Sequence, residues 1–104
     1  MNLDLDGNNI EALNVSNCTE LTRLHVLGTF TTLDISNCTK LEGIGCWTEG
    51  RLTALDVSKC ENLKKLWCDW NNLSELNVAN CPELEYLNCR INNISVLDVT
   101  NCPN

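Results

Sequence analysis

Apolar residues return along this chain at a period near 21, longer than the spacing of any single helix or strand. Cys18, Cys38, Cys60, Cys81 and Cys102 lie 20, 22, 21 and 21 residues apart, and Leu13, Leu33, Leu55, Leu76 and Leu97 keep the same steps. Aligning the copies gives seven apolar columns. They begin with Leu21, Leu41, Leu63 and Leu84, followed by Leu3, Leu24, Ile44, Leu66 and Leu87. Next come Leu5, Val26, Cys46, Cys68 and Cys89, then Ile10, Phe30, Leu52, Leu73 and Ile94. The Leu set just named, then Val15, Ile35, Val57, Val78 and Val99, and finally the five Cys complete the columns. All 34 positions are apolar or Cys. A fixed period of this length predicts a solenoid. One copy has only about seven inward side chains and no second layer, so stacked neighbours must supply its core. The repeats fall at 1–20, 21–40, 41–62, 63–83 and 84–104 and leave no room for a second domain.

Local structure follows from the spacing within a copy. Leu-x-x-Leu-x-Cys sets two inward positions two residues apart, the period of a strand. Leu-Asp-Val-Ser on the return side alternates in the same way and predicts a second short extended segment. Corners such as Asp69-Trp70-Asn71-Asn72 and Arg90-Ile91-Asn92-Asn93 predict turns. No segment carries helical periodicity of useful length.

Leu63-Lys64-Lys65-Leu66-Trp67-Cys68-Asp69-Trp70-Asn71-Asn72-Leu73 resembles the leucine-rich-repeat pattern L-x-x-L-x-L/C-x-x-N-x-L. The 21-residue period, the Cys in the strand and the return phrase Leu-Asp-Val-Ser-x-Cys are similar to bacterial repeats of the internalin J kind and to those of gut-bacterial surface proteins. The resemblance covers nearly the whole chain. It implies a leucine-rich-repeat solenoid: a right-handed superhelix, mainly β, of about five coils, with a parallel concave sheet and short extended convex segments. It also implies a binding scaffold within a larger cell-surface or secreted protein, and corner Asn side chains stacked into a ladder that hydrogen-bonds turn backbone. Two features depart from the pattern. The motif Asn is present at Asn8, Asn71 and Asn92 but missing from the two middle repeats, and the second repeat is one residue short where the third is one long. The family's usual capping segments are absent. The expectation is therefore a fragment of a longer protein, or ends that self-associate with other copies.

Composition narrows the functional classes. Seven Lys and Arg against fourteen Asp and Glu give a formal charge of -7, which argues against nucleic acid, whose phosphates require clustered cations. No apolar run reaches the roughly 18 residues of a membrane-spanning helix, so no membrane insertion is expected. The N-terminal residues have neither the basic nor the apolar region of a secretory signal. Eight Cys would ordinarily suggest disulfides or metal. Here they stand in columns of five and three, both odd, and parallel stacked Cys meet the geometry of a disulfide poorly. With no C-x-x-C and a single His, zinc is not expected. The columns predict a ladder of buried free thiols acting as small hydrophobes. The stripe Asn14, Asp34, Asp56, Asn77 and Asp98 reads as Asx-type turns or solvated carboxylates, with calcium the alternative. Five N-x-S/T sequons, at Asn14, Asn17, Asn37, Asn72 and Asn93, favour a bacterial source by their density.

All three Trp and the only Tyr stand outside the apolar columns. Strand alternation points them outward on the concave sheet, in rows Asn2, Asp4, Asp6; Arg23, His25, Leu27; Gly43, Gly45, Trp47; Lys65, Trp67, Asp69; and Tyr86, Asn88, Arg90. Trp47, Trp67 and Tyr86 form a diagonal, with Trp70 at the strand exit. Exposed aromatics among basic residues match the composition of interface hot spots. The candidate partner-binding set is Arg23, His25, Trp47, Lys65, Trp67, Asp69, Trp70, Tyr86, Asn88 and Arg90. The alternatives are stacking on glycans and aromatics that only cover their own sheet. One His, no phosphate loop and no carboxylate pair in a cleft leave no catalytic constellation and call for no cofactor. The expected function is non-enzymatic recognition of a protein or peptide, with a structural spacer as the rival.

Overall fold

A computed structural model describes residues 1–5 and 10–103; the outward Asp6 and the motif Asn8 lie outside them. The chain is a β-solenoid of about four turns. Nine short strands follow in order: β1 (Asn2–Leu5), β2 (Ala12–Asn14), β3 (Arg23–Leu27), β4 (Thr32–Asp34), β5 (Gly43–Trp47), β6 (Lys65–Trp67), β7 (Glu75–Asn77), β8 (Tyr86–Asn88) and β9 (Val96–Asp98). Among the described residues there is no helix, so none is long and apolar enough to cross a membrane. The main sheet has five parallel strands in the order β1-β3-β5-β6-β8, and its register joins residues one repeat apart, as in Leu24↔Ile44↔Leu66↔Leu87.

The columns become the core because each inward side chain lands on its copy in the next turn. Leu21, Leu24, Leu41, Ile44, Leu52, Leu63, Leu66 and Leu73 are fully buried, and Phe30 fills the matching place in the second turn. Two successive turns return the chain at each corner. The amide of each column Cys donates to the carbonyl of the Val or Ile three residues earlier, as in Cys60 to Val57 at 3.0 Å, and the Leu three residues later donates to the Cys carbonyl, as in Leu63 to Cys60 at 3.1 Å. These tight turns account for the fixed Val-x-x-Cys-x-x-Leu phrase.

The return side departs from expectation in one place. β2 pairs with β4 and β7 with β9, but residues 54–56 of the third repeat form no strand. The convex side is thus two separate two-stranded sheets. The interruption lies in the repeat with the extra corner residue, just after the corner where Glu49 and Gly50 both take left-handed backbone (φ 55° and 81°).

All eight Cys are free thiols. In the five-membered column the Sγ of Cys38 lies 3.2 Å from the Val15 carbonyl, and that of Cys81 lies 3.6 Å from the Val57 carbonyl. Burial pushes the Cys46, Cys60 and Cys68 thiols up to about 12, and neighbouring column thiols add to the effect at Cys60 and Cys68. Such groups stay protonated near neutrality and are poor nucleophiles.

The corner Asn side chains carry out the backbone role that the resemblance implied. The Asn71 amide donates to the carbonyls of Cys46 at 2.9 Å, Cys68 at 2.8 Å and Asp69 at 3.2 Å. Asn92 repeats the arrangement one turn later, donating to Cys68, Cys89 and Arg90. In the third repeat Thr48 replaces the missing Asn: its hydroxyl pairs with the Asn71 side-chain oxygen and accepts from the Leu52 amide at 2.7 Å. On the opposite corner the side-chain oxygens of Asn14, Asp34, Asp56, Asn77 and Asp98 accept from the amide two residues on, at 2.9–3.1 Å. These are Asx turns, and the hydrogen bonds they accept hold the carboxyls of Asp34, Asp56 and Asp98 below the usual range.

Candidate functional site

The outer face of the main sheet carries the aromatic diagonal. Parallel register sets Leu27 beside Trp47, Gly45 beside Trp67, and Lys65 beside Tyr86, so Trp47, Trp67 and Tyr86 each step one strand over and two residues along. His25, Gly45, Trp67 and Asn88 share one row across four strands. His25 makes T-shaped contacts with both Trp47 and Trp67, with ring centroids 6.1 and 6.2 Å away. Trp67 leans against Tyr86 at 5.2 Å. The four rings form one patch, in which Trp67 is half-buried and Tyr86 is 45% exposed.

Trp47 is explained largely by its own sheet. A Cβ on Gly45 would sit 2.5 and 2.8 Å from Cη2 and Cζ3 of Trp47, so the indole lies folded over bare Gly45 backbone. Its Nε1–H donates to Oδ1 of Asp69 at 2.9 Å. Asp69 therefore orients an aromatic ring, and its carboxylate is engaged. Alternation alone points Trp47 to the outer face; the fold-back depends on a hydrogen bond to a residue 22 positions away.

The two glycines of β5 differ. Where Trp47 fills the side-chain space of Gly45, a Cβ on Gly43 would fit without a clash, its nearest neighbour being Arg23 Cγ at 3.9 Å. Register places Gly43 between Arg23 and Lys65. A cleft of about 160 Å³ opens there, walled by His25 and Trp67. Both Arg23 and Lys65 are exposed, and among the described residues neither side chain has an ion-pair or hydrogen-bond partner.

The remaining expected residues are not brought into this cluster. The Asn88 side chain accepts from the Arg90 amide at 3.2 Å, closing a local turn. Trp70 lies around the corner, 51% exposed, beside a cleft of about 300 Å³ that it shares with Glu49, Gly50 and Ile91. Ile91, outside the expected set, occupies the equivalent position one turn on and is 63% exposed. Both residues take left-handed backbone, with φ 60° at Trp70 and 53° at Ile91. A β-branched residue pays strain there that glycine or asparagine avoids. Their shared position, each just before a ladder Asn, was a signal available in the sequence. Comparison with family models, with curated proteins and with solved structures finds no match for this chain.

Proposed function

We propose that this chain is a leucine-rich-repeat solenoid whose concave sheet recognises a protein or peptide partner without catalysis, as a segment of a larger bacterial surface or secreted protein. The observation that carries this reading is the coupled patch of Trp67 and Tyr86 beside the cations Arg23 and Lys65, which have no ion-pair partner among the described residues. The core makes no use of these side chains. Aromatic and Arg side chains are the residue types that dominate binding energy at interfaces. The repeat pattern and the Asn ladder support the family assignment. Glycan stacking is less favoured, because Trp47 is folded onto Gly45 and Trp67 is already in ring contact with both His25 and Tyr86.

The spacer reading has one observation on its side, the full accommodation of Trp47 by Gly45 and Asp69. The test therefore leaves Trp47 in place. Native chain and a Trp67→Ala, Tyr86→Ala variant are used as baits against bacterial and host surface extracts, with retained proteins read by mass spectrometry. Recognition predicts a protein retained by the native bait alone. Equal retention by both, or none by either, is the outcome a spacer predicts.

A further inference from the structure

The cleft over Gly43 has no structural occupant, and its chemistry suggests one. Next to Gly43 the main sheet carries the cations Arg23 and Lys65; of the outward acids, Asp4 stands beside His25 on the edge strand β1, and Asp69 follows Trp67. Asp69 is tied to the Trp47 indole. The rim of the cleft adds Lys64 and Glu42, which face each other at 3.9 Å. Among the described residues Arg23 and Lys65 therefore have no charged partner, and they are held on either side of Gly43 on strands about 10 Å apart across β5. The floor between them lacks a side chain, and although Gly43 is buried by its neighbours, the nearest atom to a Cβ there is Arg23 Cγ at 3.9 Å.

We infer that the Gly43 cleft is a carboxylate site, taking an Asp or Glu side chain of the protein partner between Arg23 and Lys65. The inference rests on the recognition reading above and specifies the partner's chemistry: an acidic side chain flanked by groups that lie along Trp67 and Tyr86. A guanidinium and an ammonium converging on one carboxylate form charge-assisted hydrogen bonds. The attraction to an acidic side chain is confined to the two cations that flank Gly43, in a chain that is acidic overall.

The test titrates the full chain, followed by the Gly43 amide and Trp67 indole resonances in NMR, with acetyl-Gly-Glu-Gly-amide, its Gln analogue and glucuronate. The Glu peptide is expected to shift both resonances saturably and to bind about tenfold more tightly than the Gln peptide. An Arg23→Gln, Lys65→Gln variant is expected to remove that preference. Gly43→Ala, which puts a methyl on the cleft floor with all charges intact, is expected to weaken the Glu peptide without unfolding the chain. Equal binding of the Glu and Gln peptides overturns the carboxylate assignment and leaves the face open as a peptide site. Glucuronate binding as tightly as the Glu peptide overturns the assignment to a protein side chain. A Gly43 amide that answers to no peptide also overturns the inference, and the recognition reading then stands or falls on capture through Trp67 and Tyr86.

Discussion

Adding a single methyl group at Gly45 or at Gly43 separates the two glycines of β5. In Gly45→Ala the new Cβ would stand 2.5 Å from Trp47 Cη2, 2.8 Å from Cζ3 and 3.0 Å from His25 Cδ2. The strand backbone is held on both sides by β3 and β6, so the indole is what must move. Lifting it breaks the Nε1–H bond to Asp69, worth about 1 kcal/mol, and the edge contact with His25, worth about 0.5–1.5 kcal/mol. Replacing a strand Gly by Ala returns about 0.5–1 kcal/mol through the unfolded chain. The balance is a loss of about 1 kcal/mol. In Gly43→Ala the nearest atom is 3.9 Å away, so only the favourable part remains and stability rises by about 0.5 kcal/mol. Urea unfolding followed by circular dichroism measures both, and tryptophan emission reports the indole directly. Gly45→Ala is expected to unfold at lower urea with red-shifted native emission, and Gly43→Ala at equal or higher urea with emission unchanged. Equal stability of the two variants would refute the account of Trp47 as a ring seated on Gly45.

Other consequences follow from the corners and the thiols. Asn71→Ala strips a buried amide from three carbonyls and leaves the Thr48 hydroxyl without its partner, which predicts a loss of about 3 kcal/mol or more in urea unfolding; the half-buried Asn92→Ala is expected to cost less. Ile91→Asn relieves left-handed backbone at a residue 63% exposed, so it should leave stability unchanged or raise it by up to about 1 kcal/mol, and a loss above that would contradict the strain argument. The buried thiols make the fold sensitive to alkali. Their folded values near 12 exceed the ordinary 9.0, so the folded chain keeps protons that the unfolded chain releases, and stability is full below 9.0 and lost as pH rises toward 12. A Cys46→Ala, Cys68→Ala variant should show a shallower alkaline decline in urea midpoint. Thiol titration without reductant should find Cys46, Cys60 and Cys68 unreactive in the native chain and near eight thiols in denatured chain.

The core was legible because each column residue meets its own copy in the next turn, so a one-dimensional period encodes a three-dimensional contact. The same logic ran the main sheet correctly from Leu3 to Leu87 and placed the Trp47, Trp67 and Tyr86 diagonal. It failed where a side chain answers to a partner in another repeat. Leu55-Asp56-Val57 is spelled like its neighbours yet forms no strand, and the corner before it is the one with the extra residue. Thr48 was missed as the stand-in for the ladder Asn, since it lies two residues after Cys46 where Asn71 lies three after Cys68. The outward grid likewise treated Gly43 and Gly45 alike, although only one of them has a tryptophan folded over it.

The claim that this face recognises a partner is tested most directly by an affinity ratio. The dissociation constant of the captured protein, measured by calorimetry, would be compared between the native chain and the folded Trp67→Ala, Tyr86→Ala variant. Loss of two interface anchors predicts weakening by about thirtyfold or more. Equal constants would mean that these aromatics serve only the sheet and that recognition through this face is wrong.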